Sequence, residues 1–597
     1  MREFSVPALV GSAKTANLTD LVWSNAAEAP TDVLFSRPTA HGWADVTSEQ
    51  FRTEVTAVAK GLIASGIGAG DRVGLMSRTR YEWTLFDFAI WAAGAVTVPI
   101  YETSSAEQVA WILGDSGAAA VIVETTRHQQ IVESVRPQLP TLGYLWSIEA
   151  DAVGTLTRAG SPVDTAEVEA RRAGLTPDSL ATIIYTSGTT GRPKGCELTH
   201  GNFMFELGNA VEHLQLVFRE DRASTLLFIP LAHVFARVIQ VGCVQSRSRM
   251  GHTGDVTNLL SDLATFRPTF ILSVPRVFEK VYNSASQKAH ADGKGRIFDR
   301  AAETAVAYSK SLDSGGPGMR LKLLHGVFDR LVYAKLRAAL GGEARWAISG
   351  GAPLGERLGH FFRGIGLTVL EGYGLTETTA AATVNPPYRV KMGTVGKPLP
   401  GTAVRIAPDG EVLLSGGHTF RGYWHNEAAT KESLEEGWLH TGDLGELDDE
   451  GYLRITGRKK EIIVTSGGKN VAPAVLEDRI RAHPLVSQCM VVGDRRAYVA
   501  ALVTIDAEAL THWKGQHSKP AEASVPQLCE DPELRSTIQQ AIDEANAAVS
   551  RAESIRRFRI LPLDFTEEGG QLTPTLKLKR AVVAREFAAD IEALYTS

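Results

Sequence analysis

The sequence predicts an α/β protein. A large N-terminal unit of parallel-rich sheets with packed helices and a β subdomain precedes a smaller α+β C-terminal unit. Three observations predict this. Strand and helix signals alternate early in the chain, the texture turns to short strands after Gly410, and charge concentrates at Arg458-Lys459-Lys460-Glu461 beyond Gly457. At 597 residues and 44% apolar, the chain can bury more than one core, because single cores stop growing near ~250–300 residues.

Glu49 to Ala64 spaces its apolar residues at the helical period, and Arg72-Val73-Gly74-Leu75-Met76 reads as a strand. Tyr81 to Ala93 returns to helix, Val96-Thr97-Val98-Pro99-Ile100 to strand, and Ala118 to Val123 completes a further unit. Such alternation implies a parallel sheet with helices on its faces. Ala181-Thr182-Ile183-Ile184 reads as a buried strand entering a loop, Val281 to Ala344 as helical, and Trp346-Ala347-Ile348 as a strand. After Gly410, Glu411-Val412-Leu413-Leu414 and Gly451-Tyr452-Leu453-Arg454-Ile455 are short strands, the second opened by the turn Asp448-Asp449-Glu450-Gly451. Ile462-Ile463-Val464 and Cys489-Met490-Val491-Val492 are strand-like, and Ala541 to Phe558 reads as a helix. The domain boundary falls at the charged linker, giving units 1–457 and 458–597; the second has a size that folds alone.

Lys plus Arg total 62 against 68 Asp plus Glu, a net charge of −6. That balance offers no field for gripping nucleic acid. Cys196, Cys243, Cys489 and Cys529 are far apart without paired spacing, so reduced buried thiols and a cytoplasmic setting are expected. The N-terminal Met1-Arg2-Glu3-Phe4-Ser5-Val6-Pro7 lacks the apolar core of a signal peptide. The most apolar stretch, Phe88 to Tyr101, is too short to span a bilayer, which takes ~20 residues. Peripheral membrane contact stays open, since an exposed apolar patch is invisible in sequence.

The run Tyr185-Thr186-Ser187-Gly188-Thr189-Thr190-Gly191-Arg192-Pro193-Lys194-Gly195 is built to hold a polyphosphate. Glycines let backbone N–H groups turn around an anion, hydroxyls add donors, and Lys194 adds a mobile charge. The spacing differs from that of the nucleotide-kinase loop, which needs Gly, four residues, then Gly-Lys-Ser/Thr. A polar surface turn is the plain alternative. Further motifs follow in order: Pro230-Leu231-Ala232-His233-Val234-Phe235, Ser349-Gly350-Gly351-Ala352-Pro353, Glu371-Gly372-Tyr373-Gly374-Leu375-Thr376-Glu377, Thr441-Gly442-Asp443, Ser466-Gly467-Gly468-Lys469-Asn470 and Leu572-Thr573-Pro574-Thr575-Leu576-Lys577-Leu578-Lys579-Arg580. Taken singly, a lone histidine is more often a core residue, a Gly-Gly turn is common, and an Arg-Lys-Lys-Glu run is usually a solvated face.

As an ordered set, these motifs resemble those of the adenylate-forming (AMP-binding) superfamily, over nearly the whole chain. The resemblance implies two half-reactions. A carboxylate attacks the α-phosphate of ATP to give acyl-AMP and pyrophosphate, and a thiol then displaces AMP. It implies ATP, Mg²⁺ and coenzyme A as ligands, and it implies a role for each matching residue. Thr186, Ser187, Gly188, Thr189, Thr190, Gly191 and Lys194 hold the phosphates, with Thr186 and Lys194 acting in catalysis. His233 positions the acyl carboxylate. Gly350, Gly351 and Ala352 border adenine, Glu371, Gly372 and Gly374 belong to the nucleotide-binding set, Tyr373 stacks on adenine, Thr376 contacts the α-phosphate and Glu377 ligates Mg²⁺. Asp443 and Arg458 bind the ribose, Lys460 is the hinge of a mobile C-terminal domain, and Gly467 and Lys469 line the pantetheine channel after rotation. Lys577, three residues before Arg580, is the adenylation lysine, with Lys579 the competing choice.

The segment Pro268 to Lys280, the helical stretch from Val281 to Ala344 and the terminal Leu-Thr-Pro-Thr-Leu-Lys resemble those of long-chain fatty acyl-CoA synthetases. A long acyl tail needs a deep apolar channel, since each buried CH₂ is worth about 0.8 kcal/mol. Phe228 to Val241 supplies candidate lining, with Phe235 a candidate gate. The rival is a fatty acyl-AMP ligase serving a carrier protein. No insertion of the kind that branch carries is visible between Glu377 and Val395-Gly396-Lys397-Pro398, which favours CoA as the acceptor. Luciferase-like oxygenation fits less well, having no role for the long helical segment. A catalytically dead scaffold would show damage at Lys194, Glu377, Asp443, Arg458 or Lys577, and all five are intact.

Overall fold

A computed structural model describes residues 1–12, 14–186, 192–220, 222–573 and 576–596. A seven-stranded sheet has the order Gly422–Tyr423, Lys194–Thr199, Leu180–Thr186, Val96–Ile100, Arg72–Met76, Ala120–Val123, Tyr144–Ser147. It is parallel from Leu180–Thr186 onward. Helices Ser48–Ala64 and Tyr81–Ala92 match the helical spacing, and the first starts on a capping box in which Thr47 accepts from the Gln50 N–H. Lys194–Thr199 and Gly422–Tyr423 add antiparallel strands at one edge.

A second sheet runs Phe270–Ser273, Trp346–Ser349, Thr368–Tyr373 in parallel, then Thr383–Val384 and Lys397–Pro398 antiparallel. Between its first two strands lie the helices Pro275–Ala291, Gly295–Leu312, Met319–Phe328 and Ala334–Ala339, in the stretch read as helical. A four-stranded sheet joins Ser224–Leu227, Arg249–His252, Val33–Thr39 and Gly42–Thr47. The strands after Gly410 belong to an antiparallel sheet of Glu3–Ser5, Thr402–Ile406, Glu411–Gly416, Trp438–Leu447 and Leu434–Glu435; Leu453–Arg458 also pairs with Trp438–Leu447. Apolar side chains up to Leu453 share one large core, apart from a smaller cluster on the far face of the seven-stranded sheet. From Ile463 onward the chain packs into separate cores of its own.

One expectation fails in the C-terminal portion. The helix read over Ala541 to Phe558 spans Pro532–Asn546, and Ile555–Ile560 is a strand parallel to Val499–Ile505. Asn546 closes the intervening turn with its side chain, donating to the Ile555 carbonyl at 3.0 Å and accepting from the Ile555 N–H at 2.8 Å. Ile555, Phe558 and Ile560 are buried in the sheet core, so tertiary pairing overrides the helical reading. All four cysteines are buried thiols. No helix among the described residues is long and apolar enough to cross a membrane.

A fully buried ion pair fixes two site-bearing elements to each other. Arg237, on helix Val234–Ser246, donates from Nε to Asp87 Oδ2 at 2.9 Å and from Nη1 to Thr182 Oγ1 at 2.5 Å. Asp87 Oδ1 accepts from Thr97 Oγ1 at 2.8 Å, and Gln240 Nε2 reaches Asp87 Oδ2 at 3.2 Å. A buried charge is tolerated only when so completely bonded. The network holds the helix that His233 starts against the strand that ends at Thr186.

Candidate active site

A cavity of about 690 Å³ opens at the carboxyl ends of the parallel strands, where ligands of open α/β sheets collect. Thr186 and Lys194 enter it from one hairpin, as cross-strand partners closing the loop between them. The loop positions Ser187, Gly188, Thr189, Thr190 and Gly191 lie outside the described residues. Lys194 Nζ sits 4.9 Å from the centre of the Tyr423 ring, and the Tyr423 hydroxyl donates to Glu377 Oε1 at 2.7 Å. Burial, with the Glu377 charge next, pushes the Tyr423 phenol far above its ordinary pKa, so it stays a proton donor. Tyr423 is paired with Cys196 across the sheet edge and was not foreseen: its alignment depends on a strand pairing distant in sequence.

The glycine motifs lie side by side because their strands are register partners, Ser349 opposite Glu371. Gly350, Gly351, Gly372, Tyr373, Gly374, Thr376 and Glu377 line the cavity. A side chain at Gly374 would have no room, since a Cβ there would lie 1.7 Å from the Ala380 carbonyl oxygen. Ala352 is exposed and outside the cavity lining. Glu371 stands behind the wall, where Oε1 accepts from the Leu354 N–H at 3.0 Å. Burial pushes its carboxyl up to about 7. Ala352, expected beside adenine, is thus exposed, and Glu371, expected in the nucleotide-binding set, orients the loop behind the wall.

The opposite wall comes from the hairpin of Trp438–Leu447 and Leu453–Arg458, in which Asp443 and Arg458 are cross-strand partners. Arg458 Nε donates to Asp443 Oδ1 at 2.9 Å and the Tyr373 hydroxyl to Asp443 Oδ2 at 2.7 Å. Asp443 is buried just behind the lining formed by Thr441, Gly442 and Arg458. Gly442 takes φ of +70°, a left-handed conformation that favours glycine, and its N–H is held by Glu411 Oε1 at 2.9 Å. Glu411, also unforeseen, lines the cavity while pairing with Lys459 at 3.1 Å.

His233 caps helix Val234–Ser246, its Nδ1 accepting from the Phe235 N–H at 3.2 Å. That bond leaves Nε2 as the protonated nitrogen of a neutral ring. Burial, followed by the charge of Lys577, lowers its pKa to about 3. Phe235 lines the cavity against Gly350, where an added Cβ would meet its ring at 3.4 Å.

Lys577 and Lys460 reach the cavity from the C-terminal portion; Lys579 is not part of its lining. Lys577 is held against Thr573, its N–H donating to Thr573 Oγ1 at 3.0 Å while its carbonyl accepts from the Thr573 N–H at 2.8 Å. Desolvation and then the Arg458 charge lower the Lys577 pKa. Arg580 anchors the segment, donating to Glu477 Oε1 and to the Val491 carbonyl, each at 2.5 Å. Gly467 and Lys469 lie on an exposed hairpin away from the cavity, and Lys469 pairs with Glu553 at 3.0 Å. Among the described residues no cluster of three or more His, Cys, Asp or Glu side chains forms a metal cage. Glu377 offers one cavity carboxylate, a donor set that suits a hard cation arriving with phosphate oxygens rather than a resident ion.

A site of this composition joins cationic and hydroxyl groups to a tyrosine–carboxylate–arginine cluster. The family model described as AMP-binding enzyme matches residues 22–424, and that described as AMP-binding enzyme C-terminal domain matches 460–597. The chain is 55% identical to the long-chain-fatty-acid–CoA ligase FadD15 of Mycobacterium bovis and 54% identical to that of Mycobacterium tuberculosis, covering 100% of both chains in each case. Among solved structures it resembles the anthranilate CoA ligase AuaEII in complex with anthranoyl-AMP, with a TM-score of 0.73 and 20% identity over 97% of this chain and 98% of that one. That likeness extends the fold across both portions of the chain. By its motifs, its fold and these full-length matches, the chain belongs to the adenylate-forming, AMP-binding enzyme family.

Proposed function

We propose that this protein activates long-chain fatty acids as CoA thioesters at the expense of ATP. A carboxylate oxygen of the acid attacks the α-phosphorus, the bond to the β-phosphate oxygen breaks, and pyrophosphate leaves. The CoA sulfur then attacks the acyl carbon, the bond to AMP breaks, and AMP leaves as the thiol proton is released. The observation that carries the reading is the convergence of Lys194, Glu377 and Lys577 on the cavity beside the Asp443–Arg458 pair. The first step drives one anion onto another, so it needs cations and donors from several sides. The choice of a long-chain acid rests on the 55% identity to the ligase named above.

In this reading Lys194 and Thr186 hold the phosphates, and Glu377 would hold the Mg²⁺ that comes with ATP and neutralises phosphate charge. Tyr373 borders adenine, while Asp443 and Arg458 take the ribose. Neutral His233 donates from Nε2 to the acyl carboxylate, orienting it without quenching its charge. Lys577 serves adenylation alone, and Lys460 is the hinge between units 1–457 and 458–597. Rotation there withdraws Lys577 and brings in the loop of Gly467 and Lys469, which now lies outside the cavity. The separate cores on either side of the linker support such a motion. The buried reduced thiols suit a cytoplasmic enzyme.

The test is AMP release dependent on ATP and Mg²⁺, with fatty acids of graded length, with and without CoA. Turnover that requires CoA and is strongest for long chains is expected. Acyl-AMP that accumulates and that CoA cannot discharge would overturn CoA as the acceptor.

A further inference from the structure

Met319–Phe328, the π-helical turn Asp329–Tyr333 and helix Ala334–Ala339 form a continuous rod on the N-terminal unit. Met319, Leu323, Val327 and Leu331 recur every fourth residue along it and are 83%, 74%, 47% and 52% exposed. Side chains four apart stack on one helix face, so these make a single apolar stripe. The inner face is firmly held. His325 Nε2 bonds to the Gly364 carbonyl at 2.6 Å, its ring stacks on Tyr308 at 3.9 Å, and the Tyr333 hydroxyl donates to the Ala301 carbonyl at 2.7 Å. The stripe is therefore presented outward by a fixed support.

Charge indicates the occupant. Residues 314–342 carry five Arg or Lys and one acid, Asp329, in a chain whose net charge is −6. Asp329 is already bound to Arg337 at 2.7 Å. Arg320, Lys322 and Lys335 are exposed, and among the described residues none has a carboxylate within 4.0 Å. An apolar helix face bordered by unpaired cations matches the boundary of an anionic bilayer, with side chains in the acyl region and cations at the phosphates. A second copy of the chain fits less well, because a two-fold contact would set the same cations against each other.

We propose that the outer face of residues 319–335 is a docking surface for an anionic lipid bilayer. The rod packs on the bundle that includes helix Glu356–Gly364, which follows the Gly350–Gly351 wall of the cavity. Lipid binding is measured without substrate, so its failure would leave the ligase reading untouched.

The experiment sediments the full chain with vesicles of phosphatidylcholine alone or mixed with phosphatidylglycerol. The chain should partition onto the mixed vesicles and much less onto the neutral ones, and added salt should weaken it. Leu323→Glu with Val327→Glu should abolish binding. Arg320→Ala with Lys322→Ala should lower the partition constant roughly 25-fold, since each cation near an anionic surface is worth about 1 kcal/mol, or about fivefold. Retained adenylation of a soluble short-chain acid shows that the variants are folded. Absence of wild-type binding to the mixed vesicles, or variants that bind as wild type does, would overturn the proposal. So would a wild-type dimer that Leu323→Glu splits while vesicle binding is unaffected.

Discussion

The Tyr373 hydroxyl donates to Asp443 at 2.7 Å while Arg458 holds the other oxygen of the same carboxylate at 2.9 Å. The pair joins the glycine motif to the opposite wall, so one carboxylate braces the cavity from just behind its lining. Burial, then the Asp443 charge, keeps the Tyr373 phenol protonated well above its ordinary range, so the bond persists at any working pH. A ribose diol would share or displace these donors. Asp443→Ala should weaken ATP binding by about 10- to 100-fold, the size of one or two lost hydrogen bonds to a charged group. Titration calorimetry with ATP reads it, and an unchanged affinity would remove Asp443 from the ribose role.

Lys577 enters the cavity from the C-terminal portion, while Lys579 does not contribute to the lining. A group that stabilises only the adenylation transition state changes that rate alone. Lys577→Ala should cut acyl-AMP formation by roughly 100- to 1,000-fold, as loss of a transition-state donor does elsewhere. Thioester formation from supplied acyl-AMP should be spared. Half-reaction assays separate the two, and equal losses would undo the assignment of Lys577 to one step.

The motif intervals were legible because short-range geometry sets them. Asp443 and Arg458 face each other across one hairpin, and Thr186 faces Lys194 across another, so a turn length fixes both spacings. The strand before Gly350 was likewise readable, as the apolar run Trp346-Ala347-Ile348 ending in paired glycines. What escaped depends on contacts between distant segments. Tyr423 is brought to Glu377 by an edge pairing with Lys194–Thr199, and Glu411 by a neighbouring strand of the antiparallel sheet. No local pattern marks either residue. Ile555–Ile560 was misread for the same reason, since its strand character comes from its neighbour. Glu371 carried the family motif, yet its carboxylate faces Leu354 behind the wall, a direction that sequence does not encode.

Glu371 also makes a pH prediction whose sign is definite. Burial raises its carboxyl from 4.5 to about 7, so between those values the folded protein holds a proton that the unfolded chain has lost. Stability from this group is therefore full below about 4.5, falls as pH rises, and levels off above 7. The loss is of the order of 3 kcal/mol, at about 1.4 kcal/mol per unit. Glu371→Gln keeps an oxygen for the Leu354 N–H without the ionisation. Its melting temperature should gain on wild type between pH 5 and 8 and run parallel above pH 8. A difference that does not change with pH would show that Glu371 ionises freely in the fold.

Arg276 and Asp506 meet across the two portions of the chain, Nη2 to Oδ2 at 3.6 Å, with side chains 20% and 24% exposed. Arg276 opens helix Pro275–Ala291, directly after a strand of the second sheet, and is also bound by Glu279 at 3.0 Å. Asp506 caps helix Ala507–Gln516, accepting through Oδ1 from the N–H groups of Glu508 and Ala509. The capping oxygen and the pairing oxygen are thus different atoms. Asp506→Asn preserves the cap, because asparagine is an equally good N-cap, and removes only the charge facing Arg276. A partly exposed pair of this kind is worth up to about 1 kcal/mol. If the C-terminal portion rotates between half-reactions, that energy favours only the arrangement with Lys577 in the cavity. Adenylation should then slow by up to about fivefold, while thioester formation from supplied acyl-AMP holds or rises. A parallel fall in both steps, or none in adenylation, would mean that this contact does not bias the rotation.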